Sequence, residues 1–170
     1  MPRGLKQTSS TVAIGFEVRE SAANTYTQGS VDLNLSPLDR EVFVVLGINL
    51  DPFSPDAIAG TDTNVNCAVT TTSRTTLATL ADSNCLATGN AIIKAAGFLD
   101  SGCSFQTSGM DTPPAALEYL GIIATNDFFV GVEGAGNLNA RGVNGKLYGY
   151  RAIANADIFA ALVQSEVLSA

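Results

Sequence analysis

Short apolar runs separated by turn-forming residues recur along this chain. Residues 30–35 alternate polar and apolar side chains with a period of two, which is typical of a strand with one buried face. Residues 41–50 form a nearly continuous run of β-branched and aromatic side chains, which predicts a central strand covered on both faces. Pro52 and Pro55 end this run because proline has no N–H group to donate to a neighbouring strand. The pattern predicts a chain made mainly of strands.

Several other segments show the same kind of pattern. They predict further strands at residues 12–18, 65–72, 91–94, 97–105, 117–125 and 128–133. Gly89-Asn90 predicts a turn before one of them, and residues 109–114 predict a loop. Residues 73–80 fit either a short helix or an extended segment. Asn126-Asp127 lies between two apolar runs and predicts a hairpin or a strand with a tight bend.

The last part of the chain contains a hairpin signal and a change of period. Asn144-Gly145 suits a type I′ turn, in which both central residues have positive φ, and predicts a hairpin between a strand ending near Val143 and one at 146–153. After Asn155, a helix-capping residue, apolar side chains recur with helical spacing at Ile158, Phe159, Leu162 and Val163. This spacing predicts a short C-terminal helix, with a final strand over 158–163 as the alternative.

These elements together indicate one domain, which a chain of 170 residues can form. About eight strands with few helices predict an all-β fold, an antiparallel β-sandwich that is jelly-roll-like, with a short C-terminal helix. We expect residues 1–23 to form an N-terminal arm or first strand and residues 24–155 to form the sandwich. Residues 156–170 are expected to be a helical segment packed on the same domain.

The absence of histidine from the sequence narrows the chemistry. It excludes Ser-His-Asp and Cys-His sites as well as histidine-ligated metal centres. No lysine has a serine three positions before it, so a Ser-Lys dyad of the SxxK type is absent, and Gly145-Lys146 lacks the earlier glycine of a phosphate-binding loop. The sequence therefore predicts a protein that is not an enzyme, with no catalytic residue, no cofactor and no metal site.

Carboxylates and cysteines supply the remaining candidates. Glu41, Glu118 and Glu133 lie near strands, so a pair of them could serve a glycosidase without histidine. Asp51, Asp56 and Asp62 surround one loop, but they lack the spacing of a calcium loop and are expected to be solvated turn residues. Cys67, Cys85 and Cys103 are spaced too widely for a CxxC metal site and are expected to be reduced, with one disulfide as the alternative.

The low charge and the apolar composition indicate that part of the surface of the protein is covered by a partner. Hydrophobic residues make up 46% of the chain, and 9 basic against 16 acidic residues give a net charge of −7. The basic residues are scattered, with only Arg3 and Lys6 near the N-terminus, so we expect no direct binding to nucleic acid. No apolar run reaches the roughly 18–20 residues of a membrane span, and residues 12–16 are too short for a signal-peptide core. Copies of the same chain are the expected partner.

A threonine- and glycine-rich β chain without tryptophan, with a polar N-terminal arm and a closing segment Lys146-Leu147-Tyr148-Gly149-Tyr150-Arg151, resembles a single-jelly-roll viral capsid protein. The resemblance covers roughly residues 25–155. It implies self-assembly into a closed shell, with no cofactor and no catalytic residues, and a location in the virion after assembly in the host cytoplasm. The missing basic arm departs from the usual coat pattern and suits a shell lined by an internal membrane or by other virion proteins.

Three functions from different classes follow from these observations. The first is a structural capsid or shell subunit, in which Phe159, Leu162 and Val163 form an apolar stripe that packs on the sandwich or contacts a neighbouring copy. The alternative is a carbohydrate- or receptor-binding jelly-roll module with its site among the loops at 52–63 or 134–141. The third is a two-carboxylate enzyme, in which Glu118 or Glu133 would be essential.

Overall fold

The structure, a computed structural model, describes residues 2–97, 99, 102–107 and 117–169. Its elements in chain order are β1 Leu5–Gln7, β2 Val12–Arg19, β3 Thr27–Asp32, a 3₁₀ turn Pro37–Asp39, β4 Glu41–Pro52, β5 Thr63–Thr70, β6 Cys85–Lys94, β7 Cys103–Thr107, β8 Gly121–Ile123, β9 Asp127–Ala135, β10 Gly142–Ala154 and α1 Ala156–Ser169.

The strands form two five-stranded antiparallel sheets. Sheet A has the order β2–β10–β4–β8, with β1 on the same side of β10 as β2, and sheet B has the order β3–β9–β5–β6–β7. Eight strands remain when β1 and β7 are set aside. If these eight are renumbered from 1 to 8 in chain order, sheet A has the order 1-8-3-6 and sheet B has the order 2-7-4-5. This is the strand order of a jelly roll, and it confirms the predicted all-β, antiparallel β-sandwich with a short C-terminal helix.

The core lies between the two sheets and follows the alternation along each strand. In β4, Phe43 and Val45 face this core, whereas Val42 and Val44 face outward beneath α1. The prediction of a central strand covered on both faces is therefore confirmed. The outward residues belong to a second group, here called the outer cluster, consisting of Leu5, Val42, Val44, Ala124, Tyr150, Ala152 and Ala154.

The C-terminal helix begins where the sequence predicts. The side chain of Asn155 accepts a hydrogen bond from the N–H group of Ile158 at 2.9 Å, which satisfies one of the free donors at the helix start. The apolar side of α1 covers the outer cluster on sheet A. The alternative of a final strand is excluded by the helix at Ala156–Ser169.

Several predicted turns lie inside strands instead. Asn144-Gly145 lies within β10, where a Cβ atom at Gly145 would collide with the Phe16 ring and the carbonyl oxygen of Asn49. The glycine is needed for close packing between neighbouring strands, and the predicted hairpin is wrong. Gly89-Asn90 likewise lies within β6, opposite Cys67 and Asn66.

Other predictions need correction or lie outside the described residues. The hairpin at Asn126-Asp127 is absent, because β8 belongs to sheet A and β9 to sheet B, so the chain crosses between sheets there. Residues 73–80 contain neither helix nor strand. The loop predicted at 109–114 lies outside the described residues.

Candidate functional site

The predicted assembly stripe is half-buried. Phe159, Leu162 and Val163 pack against the outer cluster on sheet A, so part of each side chain stabilises the docking of α1. Val167 and Leu168 follow at the end of the helix, and their side chains are 67% and 77% exposed. Whether the stripe also contacts a neighbouring copy stays a prediction.

A buried carboxylate lies on the same side of the helix. Glu166 is 7% exposed, and its Oε1 accepts a hydrogen bond from the N–H group of Ala124 at 3.0 Å. Its Oε2 is buried and has no hydrogen-bond partner within the described part of the chain. Burial raises the pKa of Glu166 because removal from water disfavours the charged form, and the hydrogen bond from Ala124 opposes this rise.

Two cavities meet at Glu166. One has a volume of about 220 Å³ and lies between α1, β8 and the start of β6, where Leu86, Ile122 and Leu162 line it. The other has a volume of about 190 Å³ and is lined by Thr125, Asp127 and Phe129. Glu166 and Thr71 border both, so the end of α1 closes one side of each cavity.

The loops proposed for a ligand site are bound to each other. Asp56 accepts hydrogen bonds from the N–H groups of Leu138 and Asn139, at 2.9 and 3.0 Å, and forms an ion pair with Arg141. Asn137 in turn accepts a hydrogen bond from the N–H group of Asp56 at 2.9 Å. The polar groups expected to face a ligand therefore join residues 52–63 to residues 134–141.

Glu20 extends this arrangement to a third loop. Its Oε1 accepts hydrogen bonds from the N–H groups of Gly134 and Thr25, and its Oε2 accepts one from the N–H group of Arg141 at 2.8 Å. Asn24 also exchanges two hydrogen bonds with Asn137. We call the set formed by Glu20, Asn24, Asp56, Asn137 and Arg141 the loop network. It joins three loops of the sandwich through hydrogen bonds and one ion pair.

The three glutamates considered for a glycosidase lie on different elements of the fold. Glu41 begins β4 in sheet A, where it accepts a hydrogen bond from the N–H group of Ser36 and pairs with Arg151. Glu133 lies in β9 of sheet B, opposite Asn66 and on the face turned away from the core. Glu118 is exposed just before β8. Glu41 and Glu133 thus belong to different sheets.

The three aspartates lie in different surroundings, and Asp51 is part of β4, opposite Asn144. Asp56 belongs to the loop network, whereas Asp62 accepts hydrogen bonds from the N–H groups of Ala95 and Ala96 and pairs with Lys94. These interactions lower the pKa of Asp62, the bond from Ala96 contributing most. Among the described residues, no group of three or more metal-binding side chains could hold a metal ion.

All three cysteines are free thiols. Cys67 is buried in the core, where its thiol donates to the carbonyl oxygen of Gly89 and burial raises its pKa to about 12. Cys85 is half-buried and Cys103 is exposed. Their equal spacing in the sequence therefore corresponds to three different environments.

Most of the basic side chains form ion pairs with acidic side chains. Five of the nine form ion pairs in the part of the chain that the structure describes: Arg19, Arg74, Lys94, Arg141 and Arg151. These five lie on different strands and loops. The clustered free cations that a phosphate-binding surface needs are therefore not formed by these five residues.

Sequence reasoning missed Glu166 and the loop network. Glu166 lies three and four residues after Val163 and Leu162, so it shares the helix side of the apolar stripe. That spacing was the available signal, but a carboxylate is rarely buried, so it does not by itself predict a buried Glu166. The loop network joins residues more than 70 positions apart, such as Asp56 and Asn137, and no local pattern indicates such pairs.

No family model matches this sequence, and no curated protein matches it either. Among solved structures, a chain of Desmodium yellow mottle tymovirus is similar, with 10% identity over 92% of this chain and 95% of that chain and a TM-score of 0.32. At this score the similarity supports no conclusion. The resemblance to single-jelly-roll capsid proteins is confirmed at the level of the fold, by the strand order of the two sheets.

In the described ranges, no helix has both the length and the apolar character needed to cross a membrane.

Proposed function

We propose that this chain is a structural subunit that assembles with copies of itself into a viral capsid or a similar protein shell. The observation that carries the proposal is the jelly-roll strand order of the two sheets, combined with an open edge strand, β2. Jelly rolls of this type occur in viral capsids, lectins and cupins, so the fold alone leaves several classes of function. The chemistry of the side chains is needed to distinguish among these classes of function.

The side chains favour a structural role over a catalytic one. The histidine ligands on which cupin-type metal sites depend are absent from the sequence. The loop network uses the polar groups of one end of the sandwich for bonds within the chain, and Glu41 is held by Ser36 and Arg151. These contacts stabilise a rigid body that can be repeated in a lattice.

Under this proposal the partners are copies of the chain, together with other virion proteins or an internal membrane that lines the shell. The location is the virion, after assembly in the host cytoplasm. Phe159, Leu162 and Val163 would contribute the exposed part of the apolar stripe to a contact between subunits.

The test is to purify the chain and measure its mass by light scattering, with negative-stain microscopy of the same sample. Uniform particles or rings much larger than the 17.5 kDa chain are expected. A strict monomer at high concentration would contradict the proposal. Binding of a glycan by that monomer would instead favour the carbohydrate- or receptor-binding module.

A further inference from the structure

Strand β2 forms an unusually long open edge. It has 8 residues, whereas the other strands at sheet edges, β1, β3, β7 and β8, have 3, 6, 5 and 3. Within the described ranges, no strand pairs with its outer side. Edge strands in soluble proteins are commonly kept short or interrupted by proline and lysine, and β2 contains neither residue.

The backbone direction shows which groups of β2 are free for pairing. The carbonyl oxygen of Gly142 accepts from Phe53 on the β4 side, whereas that of Arg141 accepts from Glu20 on the β2 side. The N–H and C=O groups of successive residues point to opposite sides of a strand, so the odd-numbered residues of β10 form the hydrogen bonds to β2. These residues lie opposite the even-numbered residues of β2, whose backbone groups therefore point toward β10. The N–H and C=O groups of Ala13, Gly15 and Glu17 therefore point out from the edge.

The side chains at these positions leave the edge accessible. Ala13 and Gly15 are small and exposed, and a Cβ atom added to Gly15 would meet nothing within 4 Å. Glu17 forms an ion pair with Arg19, whose guanidinium lies 5.3 Å from the centre of the Phe53 ring. The charges next to the edge thus compensate each other within one chain.

We propose that β2 pairs with β2 of a second copy, antiparallel about a two-fold axis through Gly15, and joins the two copies of sheet A into one continuous sheet. This inference rests on the proposed function, because it names one of the contacts by which copies would assemble. A two-fold contact of this kind is self-complementary and closed.

The register follows from which side chains it brings together. With Gly15 at the axis, Ile14 lies opposite Phe16 of the second copy, and Val12 lies opposite Val18. Ile14 and Phe16 are only half-buried in one chain, so the pairing extends the core across the contact. A register shifted by two residues, centred on Glu17, would place like charges opposite each other, which is destabilising.

The first experiment uses proline at the axis. Gly15→Pro removes the N–H group that would bond the second copy, but it removes no bond to β10, because this group points away from β10. We expect the contact to weaken about tenfold or more, since two backbone hydrogen bonds are lost, as measured by sedimentation at falling protein concentration. Gly15→Ala is the control: it keeps the N–H group and should assemble like the unsubstituted chain.

The second experiment tests the register by disulfide cross-linking in a Cys103→Ser background. Gly15→Cys should cross-link to itself on mild oxidation, because residues facing each other across paired strands have Cα atoms close enough for a disulfide. Ala13→Cys alone should not, since the Cα atoms of its two copies would be more than about 14 Å apart. Ala13→Cys mixed with Glu17→Cys should cross-link between chains.

The outcomes separate this inference from the proposed function. If the unsubstituted chain is monomeric, both fail. If it forms particles, but Gly15→Pro forms them equally well and Gly15→Cys gives no cross-link, the β2 contact is overturned and the shell subunit stands. Loss of assembly in Gly15→Pro, with cross-links only in the expected combinations, supports both.

Discussion

At the scale of single residues, Glu166 is a carboxylate in an environment that is unusual for its type, because it is buried. Its carboxyl group is buried near the end of α1, between one cavity that Cys85 also lines and a second that Asp127 also lines. Burial raises its pKa from the ordinary value of 4.5, so the folded state binds this proton more tightly than the unfolded state does. The contribution of Glu166 to the free energy of unfolding is therefore complete at pH values below the pKa of this group in the unfolded chain. It is lost as the pH rises through the pKa of the group in the folded chain.

Glu166→Gln should remove this dependence. The glutamine keeps an oxygen that can accept from the N–H group of Ala124 and carries no ionisable proton. We expect the free energy of unfolding of the variant, relative to the unsubstituted chain, to increase as the pH is raised from 4 to 8. Urea unfolding at several pH values measures this difference, and a difference that is independent of pH would contradict the burial of an ionisable carboxyl.

The three thiols should differ in reactivity. Cys103 is exposed, whereas burial raises the pKa of Cys67 to about 12 and also raises that of Cys85. Because the thiolate is the reactive form, a thiol reagent at pH 8 should modify Cys103 rapidly and Cys67 only on unfolding. Mass spectrometry after digestion identifies the modified residue, and rapid modification of Cys67 in the native chain would argue against this core.

At the scale of elements, α1 depends on its half-buried side for docking. Phe159→Ala removes aromatic surface packed on the outer cluster and should lower the free energy of unfolding by about 1–3 kcal/mol, less than for a fully buried phenylalanine. Val167→Ala, at a position that is 67% exposed, is the matched control and should change it by less than about 0.5 kcal/mol. Chemical denaturation of both variants provides the comparison. Equal effects would mean that α1 is not docked as described.

The elements that could be predicted were those with strong local patterns. The continuous apolar run gave β4, and the cap at Asn155 with the helical spacing after it gave α1. Asn144-Gly145 misled the prediction because a glycine can be required either by a turn or by a close neighbour, and here the neighbour is Phe16, more than 120 residues earlier. Local sequence cannot distinguish these two requirements.

The candidate site was predictable to a similar degree. The spacing of Phe159, Leu162 and Val163 indicated an apolar helix side, and the structure places that side on sheet A. Strand β2 was expected from its own residues, but its position at an edge depends on which strand pairs with β10. Which strands become neighbours depends on the packing of both sheets. The sequence of a single segment therefore does not reveal its neighbours.

At the scale of the whole molecule, the loop network ties together segments that are distant in sequence. Asp56→Ala would remove the acceptor of the N–H groups of Leu138 and Asn139. It would also remove the ion-pair partner of the partly buried Arg141 guanidinium. We expect a loss of about 2–3 kcal/mol in the free energy of unfolding. Asp32→Ala is a suitable control, because exposed Asp32 accepts a hydrogen bond only from the N–H group of Asn34, two residues later, among the bonds that the structure describes. This variant should lose less than about 1 kcal/mol. Similar losses in the two variants would show that the network does not stabilise the chain.

The net charge of −7 should affect assembly as a whole. Copies with the same negative charge repel each other, and at 0.1 M ionic strength salt largely screens this repulsion between charges more than about 10 Å apart. We therefore expect the fraction of protein in particles, measured by light scattering, to increase between 0.05 and 0.5 M sodium chloride. A decrease would indicate that ion pairs between subunits dominate the contacts.

Strand β10 has a consequence for biosynthesis. It is the only partner of β1 and β2 among the described strands, and it separates them from β4. It is also the last of the described strands in chain order, so on the ribosome sheet A cannot close until residue 154 has been translated. Until then β2 and β4 lack their neighbour, and their apolar residues need protection from aggregation. Nascent chains stalled before residue 142 should therefore bind chaperones, and chains stalled with residue 154 outside the exit tunnel should release them.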